Sequence, residues 1–427
     1  TSGLFRHDLL REATVARLGH RRKRITHSLL ARAYAEEVGD GADPGILAEQ
    51  WWQAGEAPEA TRNWLRQVAQ LRSRGLHLAA LDVLRGAIAR VPPGTEQRWL
   101  RLGLAETVLE GGWFDQVPDL LAAATPEPDD QPELHAKAAL VRSTWLLNSG
   151  RYSEAESGLA VERHWFTLTS DETLRLDLVM FDARIAAVRH DLARAIDLVE
   201  PEVRRLRAGR PSTKRAQFVI SLAAVYDQLA RHDEALALHR EALSLAKNVG
   251  SRYLEAESTI NLLFCLADMG RHDEAIAVGE RALLSSSFDN EPVIRVNLAA
   301  NYRQAGRFAE SITHYRHLAA GGQPHLRLIA LARWAEAAAR LGDAHESTRL
   351  IDMLLDDLDQ TDYPVALGAA AAAVHGWGSA AQLERWRRHA PALEPEKLPA
   401  YLQAELADAQ AHRRAADGSS ENESTGT

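Results

Sequence analysis

Cysteine is nearly absent from this chain: 427 residues contain one, Cys265, inside the apolar stretch Asn261-Leu-Leu-Phe-Cys-Leu. One thiol excludes an intramolecular disulfide framework and a multi-cysteine zinc site, and it fits a reducing, cytoplasmic compartment. Long apolar runs are missing too. None reaches the ~18 residues that a membrane-spanning helix needs. Arg6, His7 and Asp8 place charge where a signal peptide would be apolar. Positive charge is in deficit, with a formal net charge of -9. That balance argues against wrapping nucleic acid, which needs a basic footprint to displace phosphate counterions. Residues 1–35 are the local exception: Arg6, Arg11, Arg17, Arg21, Arg22, Lys23, Arg24 and Arg32 face only Asp8 and Glu12. The run 17–24 reads as a solvated helix face in preference to a DNA contact. The chain starts at Thr1 without an initiator Met, so a piece of a longer protein is expected.

Catalytic constellations are also missing. Gly209-Arg-Pro-Ser-Thr-Lys lacks the Gly-Lys-Ser/Thr ending that places a lysine on phosphates. There is no Gly-x-Ser-x-Gly elbow and no His-Glu-x-x-His pair. His314 and His317 lie one helical turn apart, with His325 beyond the Gly321-Gly322 break, but metal binding needs more convergent ligands. His232 and His272 recur at equivalent turns and read as surface scaffold residues. No catalytic residue, metal or cofactor is therefore assigned, and the chain reads as a non-enzyme.

What the chain does contain is a repeat. Ala230-Arg-His-Asp-Glu-Ala-Leu-Ala recurs as Gly270-Arg-His-Asp-Glu-Ala-Ile-Ala, then as Gly306-Arg-Phe-Ala-Glu-Ser-Ile-Thr and Gly342-Asp-Ala-His-Glu-Ser-Thr-Arg. Gly150-Arg-Tyr-Ser-Glu-Ala and Gly112-Trp-Phe-Asp echo it upstream. Each copy predicts an apolar-periodic helix ending at Gly, a short turn, and a next helix opened by an Asp or Ser N-cap with Glu in its first turn. Counting from the turns, Leu222, Leu262 and Leu298 align, as do Ala223 with Ala299 and Tyr226 with Tyr302. Beyond the turns Ala235, Ala275, Ser311 and Ser347 align, then Ala242 and Ala282. Small residues there let the two helices of a hairpin approach, with Leu and Tyr filling the seam.

This pattern resembles the tetratricopeptide repeat, including its consensus asparagine on the first helix, here Asn261 and Asn297. The likeness is specific over residues 215–345. The usual period is ~34 residues, and the insertion Ala246-Lys-Asn-Val-Gly-Ser-Arg-Tyr makes one repeat longer, similar to repeats of bacterial regulatory proteins. The expected fold class is all-α, a right-handed superhelical solenoid of helical hairpins. Weaker pairs are expected near 76–110, 114–148, 152–188 and 191–207, with a capping region near 344–415.

The N-terminal segment differs. Phe5-Arg-His-Asp-Leu-Leu-Arg-Glu-Ala followed by Arg21-Arg-Lys-Arg-Ile-Thr-His resembles the junction that ends the winged-helix part of bacterial signal-transduction ATPases and transcriptional activators of the maltose-regulator-like or antibiotic-regulatory type. Repeats in such proteins open with a segment similar to Leu47-Ala-Glu-Gln-Trp-Trp-Gln-Ala-Gly-Glu. The resemblance implies a regulatory sensor and protein-interaction arm, with ATPase and DNA-binding modules elsewhere in the same full-length chain. Three regions follow: 1–38 as the end of a preceding winged-helix-like module or an N-terminal cap, 39–415 as solenoid, and 416–427 as an acidic, disordered tail. The alternative is a stand-alone scaffold that recruits a protein partner. A weaker third reading has the repeats supporting an enzyme domain outside this sequence.

Seven of the ten tryptophans crowd the first half, at 51, 52, 64, 99, 113, 145 and 165. They read mainly as core. Trp51 and Trp52 are ~100° apart on a helix, so one is expected to be partly exposed. For binding, residues of the first helices that face away from their hairpin partners are expected to form a groove. Registering the repeats puts Gln228, Asp268, Gln304 and Arg340 at one groove position. A second carries Arg303, and a third carries Phe264 and Glu336, while Arg333 replaces the consensus asparagine. This mixed polarity suits a protein or peptide partner, or a small effector.

Overall fold

The computed structural model describes residues 19–111, 113–284, 291–321, 323–358, 364–389, 402–411 and 413–414. The Phe5-Arg-His-Asp motif, Arg17 and the 416–427 tail lie outside the described residues. Among the described residues the regular structure is helical, with no strand, as the periodicity predicts.

The order is α1 (His20–Val38), α2 (Pro44–Ala54), α3 (Ala57–Ser73), α4 (His77–Arg90), α5 (Thr95–Glu110), α6 (Val117–Ala122), α7 (Pro132–Asn148) and α8 (Tyr152–Glu162). Then come α9 (His164–Leu168), α10 (Glu172–Val188), α11 (Leu192–Arg207), α12 (Thr213–Gln228), α13 (His232–Asn248), α14 (Arg252–Asp268) and α15 (His272–Leu283). The last are α16 (Glu291–Gln304), α17 (Phe308–Ala319), α18 (Pro324–Arg340), α19 (Ala344–Asp356), α20 (Pro364–Trp377), α21 (Ala380–His389) and a helix over 402–411, α22. Contacts divide the chain into two units: Thr1–Leu229 with Ser244–Leu254, and Ala230–Leu243 with Glu255–Thr427.

In the first unit, α1 packs on α2 through Ala31, Ala42 and Leu47. Arg24 donates from Nε to the Ala54 carbonyl at 2.7 Å, which places a cation on the carbonyl end of α2 where the helix dipole favours it. Arg21 and Arg22 are exposed. The hairpins pair α3 with α4, α7 with α8 and α10 with α11. The expected 76–110 pair is present too, since α4 also packs on α5, whereas the expected 152–188 pair is shifted by one helix. Each hairpin joins the helix before a Gly-type turn to the helix after it, so 152–162 pairs backward with 132–148. Trp51 and Trp52 are both half-buried. Trp52 tilts against Trp64 at 5.7 Å, and the Arg90 guanidinium lies 5.3 Å from each ring. Between α3, α5 and α7, Glu106 pairs with Arg72 and Lys137, and Arg72 Nε also donates to Glu110 at 2.6 Å. Burial pushes the Glu106 carboxyl up, but Lys137 and Arg72 outweigh it and hold it at about 2.

In the second unit, α16–α21 pack in sequence around a core that includes Tyr315, Leu328, Leu331, Leu350, Leu354 and Val374. Most of the seam positions read from the repeats are buried, with Leu262, Leu298, Ala275, Ser311 and Ser347 all less than 4% exposed, while Tyr226 and Ala282 are half-buried. His272 is not a free surface residue, because its Nδ1 lies 3.3 Å from Asn301 Oδ1. His314 and His317 engage different partners. The first stacks on Tyr302 and meets Arg295 at 3.2 Å, and the second faces Glu291 at 3.5 Å.

The turn chemistry corrects the expected capping. The Asp343 copy is an N-cap as expected, with its side chain accepting from Glu346 N. In the copies at 150, 270 and 306 the cap residue is Arg151, Arg271 or Arg307, with no side-chain cap bond, and Ser153 and Asp273 fall inside the first turn. Each of these arginines pairs with the Glu three residues on, at Glu154, Glu274 and Glu310, as Arg231 does with Glu234. A glutamate in the first turn meets the positive helix end directly, so the carboxylate cap is dispensable.

The turns also require a left-handed residue: φ is +75° at Gly150, +69° at Gly270, +75° at Gly306 and +84° at Gly342, but the position falls to Ala230 in one copy, at +55°. A Cβ in that region costs about 1–2 kcal/mol. Ala230→Gly should therefore stabilise the protein by about 0.5–1 kcal/mol, allowing for glycine's greater unfolded-state entropy. Urea unfolding would measure it, and an unchanged or lower midpoint would show that this turn is unstrained.

Candidate functional site

Within the second unit, α16, α18, α20 and α22 surround a cleft of about 390 Å³ lined by charged and small apolar side chains. One face of α18 supplies Arg333, Glu336 and Arg340, whose spacing places them together on a helix. Arg303 reaches in from α16, and Glu405 and Asp408 from α22. Ala332, Ala372, Ala373 and Ala409 keep the floor low, and Trp377 forms a wall.

The ion pairs are shared. Arg303 Nη1 donates to both Glu336 oxygens at 3.2 Å, and its Nη2 donates to Glu405 Oε1 at 2.9 Å. Arg333 Nη1 approaches Glu336 Oε2 at 3.4 Å, and its Nη2 pairs with Glu405. Arg340 Nε donates to Glu336 Oε1 at 3.2 Å. Side-chain exposure is 13% for Arg303, 11% for Arg333 and 10% for Glu336, but 25% for Glu405 and 47% for Arg340. Arg340 spans the mouth, 5.4 Å from the Trp377 ring and 5.7 Å from Phe308, contacts typical of a guanidinium on an aromatic face.

Burial pushes the Glu336 carboxyl up, yet Arg303, Arg333 and Arg340 hold it below the usual carboxylate range. Burial likewise pushes Arg303 down, and Glu336 and Glu405 more than restore it. Tyr315, buried against this network, has its hydroxyl pushed up by burial. Glu336 and Arg303 therefore stay ionised at neutral pH. Three guanidiniums face two carboxylates in this set, and Asp408 at the rim adds a third acid. A site of this kind can bind a carboxylate through forked guanidinium donors. Among the described residues that line it, none is a nucleophile paired with a base.

Of the groove candidates, Arg303, Arg333, Glu336 and Arg340 are brought together here. Gln304, Asp268 and Phe264 are exposed and do not line the cleft, and Gln228 is exposed on α12 in the other unit. Arg333 occupies the register of Asn297, whose side chain turns back to the Val293 carbonyl at 2.8 Å. An arginine there reaches beyond its own helix. Glu405, Asp408 and Trp377 carry no repeat signature, which is why register counting missed them.

Residues 216–283 match the tetratricopeptide repeat family. Among curated proteins, none matches the sequence. Among solved structures, the chain is similar to the Signal Transduction ATPase with Numerous Domains (STAND) protein with a tetratricopeptide repeat sensor from Pyrococcus horikoshii, at 13% identity and a TM-score of 0.51. That match covers 98% of this chain and 56% of the other, so the chain spans little more than half the length of that protein. A Rap protein complexed with competence and sporulation factor matches at 14% identity and a TM-score of 0.49, covering 83% of this chain and 98% of that one. The apo form of the quorum sensor NprR from B. thuringiensis matches at 14% identity and a TM-score of 0.47, covering 82% and 89%. The chain is thus an all-α protein of tetratricopeptide-like helical hairpins.

Proposed function

We propose that this chain is the sensor and protein-interaction arm of a bacterial signalling ATPase or transcription regulator, and that it captures a partner segment or effector in the α16–α18–α20–α22 cleft. The observation that carries the reading is the cleft itself: nearly buried arginines on first helices, paired with carboxylates, an aromatic wall, and room for a ligand side chain. The module context rests on the N-terminal motif and on α1, which presents Ile25, Leu29 and Leu30 at 51–61% exposure, a surface suited to an adjoining module. The likeness to the P. horikoshii protein supports the fold alone. An upstream coding sequence with a phosphate loop would support the ATPase context, and a start codon directly before Thr1 would remove it.

Binding is tested by panning random dodecapeptides on phage against the whole chain. Enriched peptides should lose at least about tenfold in affinity, roughly 1.4 kcal/mol, with Arg340→Ala and with Arg303→Ala. Arg340 is the safer variant for folding because its side chain is half exposed. Peptides that bind all three proteins alike would discard the cleft as the site.

A further inference from the structure

The cleft is already partly occupied by the chain's own acid. Glu405 stands between Arg303 and Arg333, accepting from Arg303 Nη2 at 2.9 Å and pairing with Arg333 Nη2. It arrives on a short helix, α22, seated by Leu402 at 0% exposure and Leu406 at 7%. Glu405 is more exposed than either arginine it neutralises, so solvent reaches the acid from the open side while both guanidiniums stay covered. Glu336 differs: it belongs to α18, is nearly buried, and touches all three arginines. Glu336 is therefore the fixed part of the site and Glu405 the replaceable part.

Resting on the reading that this cleft binds a partner segment, we propose that its ligand is an acidic peptide whose carboxylate takes the place of Glu405 on Arg303 and Arg333, unlatching α22. Two observations specify that chemistry. Removing Glu405 would leave Arg303, Arg333 and Arg340 against Glu336 and the rim residue Asp408, an excess of positive charge at this site inside a chain of formal net charge -9. Forked donors from two arginines match the two oxygens of one carboxylate. A ligand that competes with an internal group has its apparent affinity reduced by the fraction of time the site is free, and an internal competitor on the same chain acts at high effective concentration. Ligand binding and release of α22 then become one equilibrium, in which each opposes the seated state.

The test uses fluorescein-labelled hexaglutamate, with hexaglutamine as the neutral control, and fluorescence anisotropy on the full chain. The overall negative charge disfavours unspecific capture of this probe. Glu405→Gln, which keeps the side-chain volume, should bind hexaglutamate at least about tenfold more tightly than the native chain, and hexaglutamine should bind neither. A second variant fixes α22 covalently. A Cβ built on Gly376 lies 3.2 Å from the Ala409 Cβ, close to the 3.5–4.5 Å of a disulfide, and the lone native Cys265 is buried. Oxidised Gly376→Cys/Ala409→Cys should bind at least about tenfold more weakly than the same protein after reduction with dithiothreitol. Far-UV circular dichroism checks that each variant is folded. Equal affinity in the native chain and Glu405→Gln, with binding lost in Arg303→Ala, would overturn the role of Glu405 and leave the cleft as the site. Failure of Glu405→Gln to bind hexaglutamate would overturn the acidic-ligand assignment, with the peptide panning then judging the cleft separately. Binding indifferent to Arg303→Ala and Arg333→Ala would sink both.

Discussion

Glu336→Ala is expected to destabilise the second unit by about 3–5 kcal/mol, the range for removing one partner of a buried ion pair. The side chain is 10% exposed and is the common acceptor of Arg303, Arg333 and Arg340. Without it, two nearly buried guanidiniums share only Glu405, which is itself a quarter exposed. Desolvation of those cations is then uncompensated, and the penalty exceeds the loss of the hydrogen bonds themselves. Glu336→Gln keeps volume and one acceptor and should cost less. Urea unfolding followed by far-UV circular dichroism gives the comparison. A loss below about 1 kcal/mol for Glu336→Ala, the level of a surface pair, would mean that the cleft is as wet as an open surface.

Acid should weaken the first unit through Glu106. Its carboxyl is held at about 2 against an ordinary 4.5, with burial opposing and Lys137 and Arg72 prevailing. A group depressed in the folded state contributes stability that is fully present above the unfolded value and is lost as pH falls through the folded one. The window is therefore from about pH 5 down to about pH 2, and the linked loss is on the order of 3 kcal/mol, at 1.36 kcal/mol per pKa unit. Glu336 is shifted in the same direction and adds acid sensitivity in the second unit. Comparing unfolding midpoints at pH 7 and pH 3 for the native chain and Glu106→Gln isolates the contribution. The variant should be less stable at pH 7 but lose less on acidification, and equal acid sensitivity would remove Glu106 as its source.

How much of the site could be read in advance depends on register. Arg333, Glu336 and Arg340 sit on one helix at spacings that 3.6-residue periodicity converts directly into a shared face, and Arg303 follows by aligning the preceding repeat. Phe264 and Asp268 passed the same counting test yet stay exposed and outside the cleft, because register says which way a residue points and not what covers it. Glu405 could not be reached by counting. It lies 72 residues from Arg333 in the chain on a helix outside the repeat pattern, and only packing of Leu402 and Leu406 brings it there.

Local chemistry in the sequence thus determined the helical hairpins, their Gly-type turns and the buried seams at Leu262, Leu298, Ala275 and Ser311, since periodicity, small residues and left-handed turn positions act between neighbours in the chain. Which helix pairs with which upstream of residue 210, the replacement of carboxylate caps by Arg–Glu pairs, and the meeting of three arginines with Glu336 and Glu405 were decided by tertiary structure. Charges buried together must find one another's company to offset desolvation, and no rule of spacing along a single helix can say which distant segment will bring the matching acid.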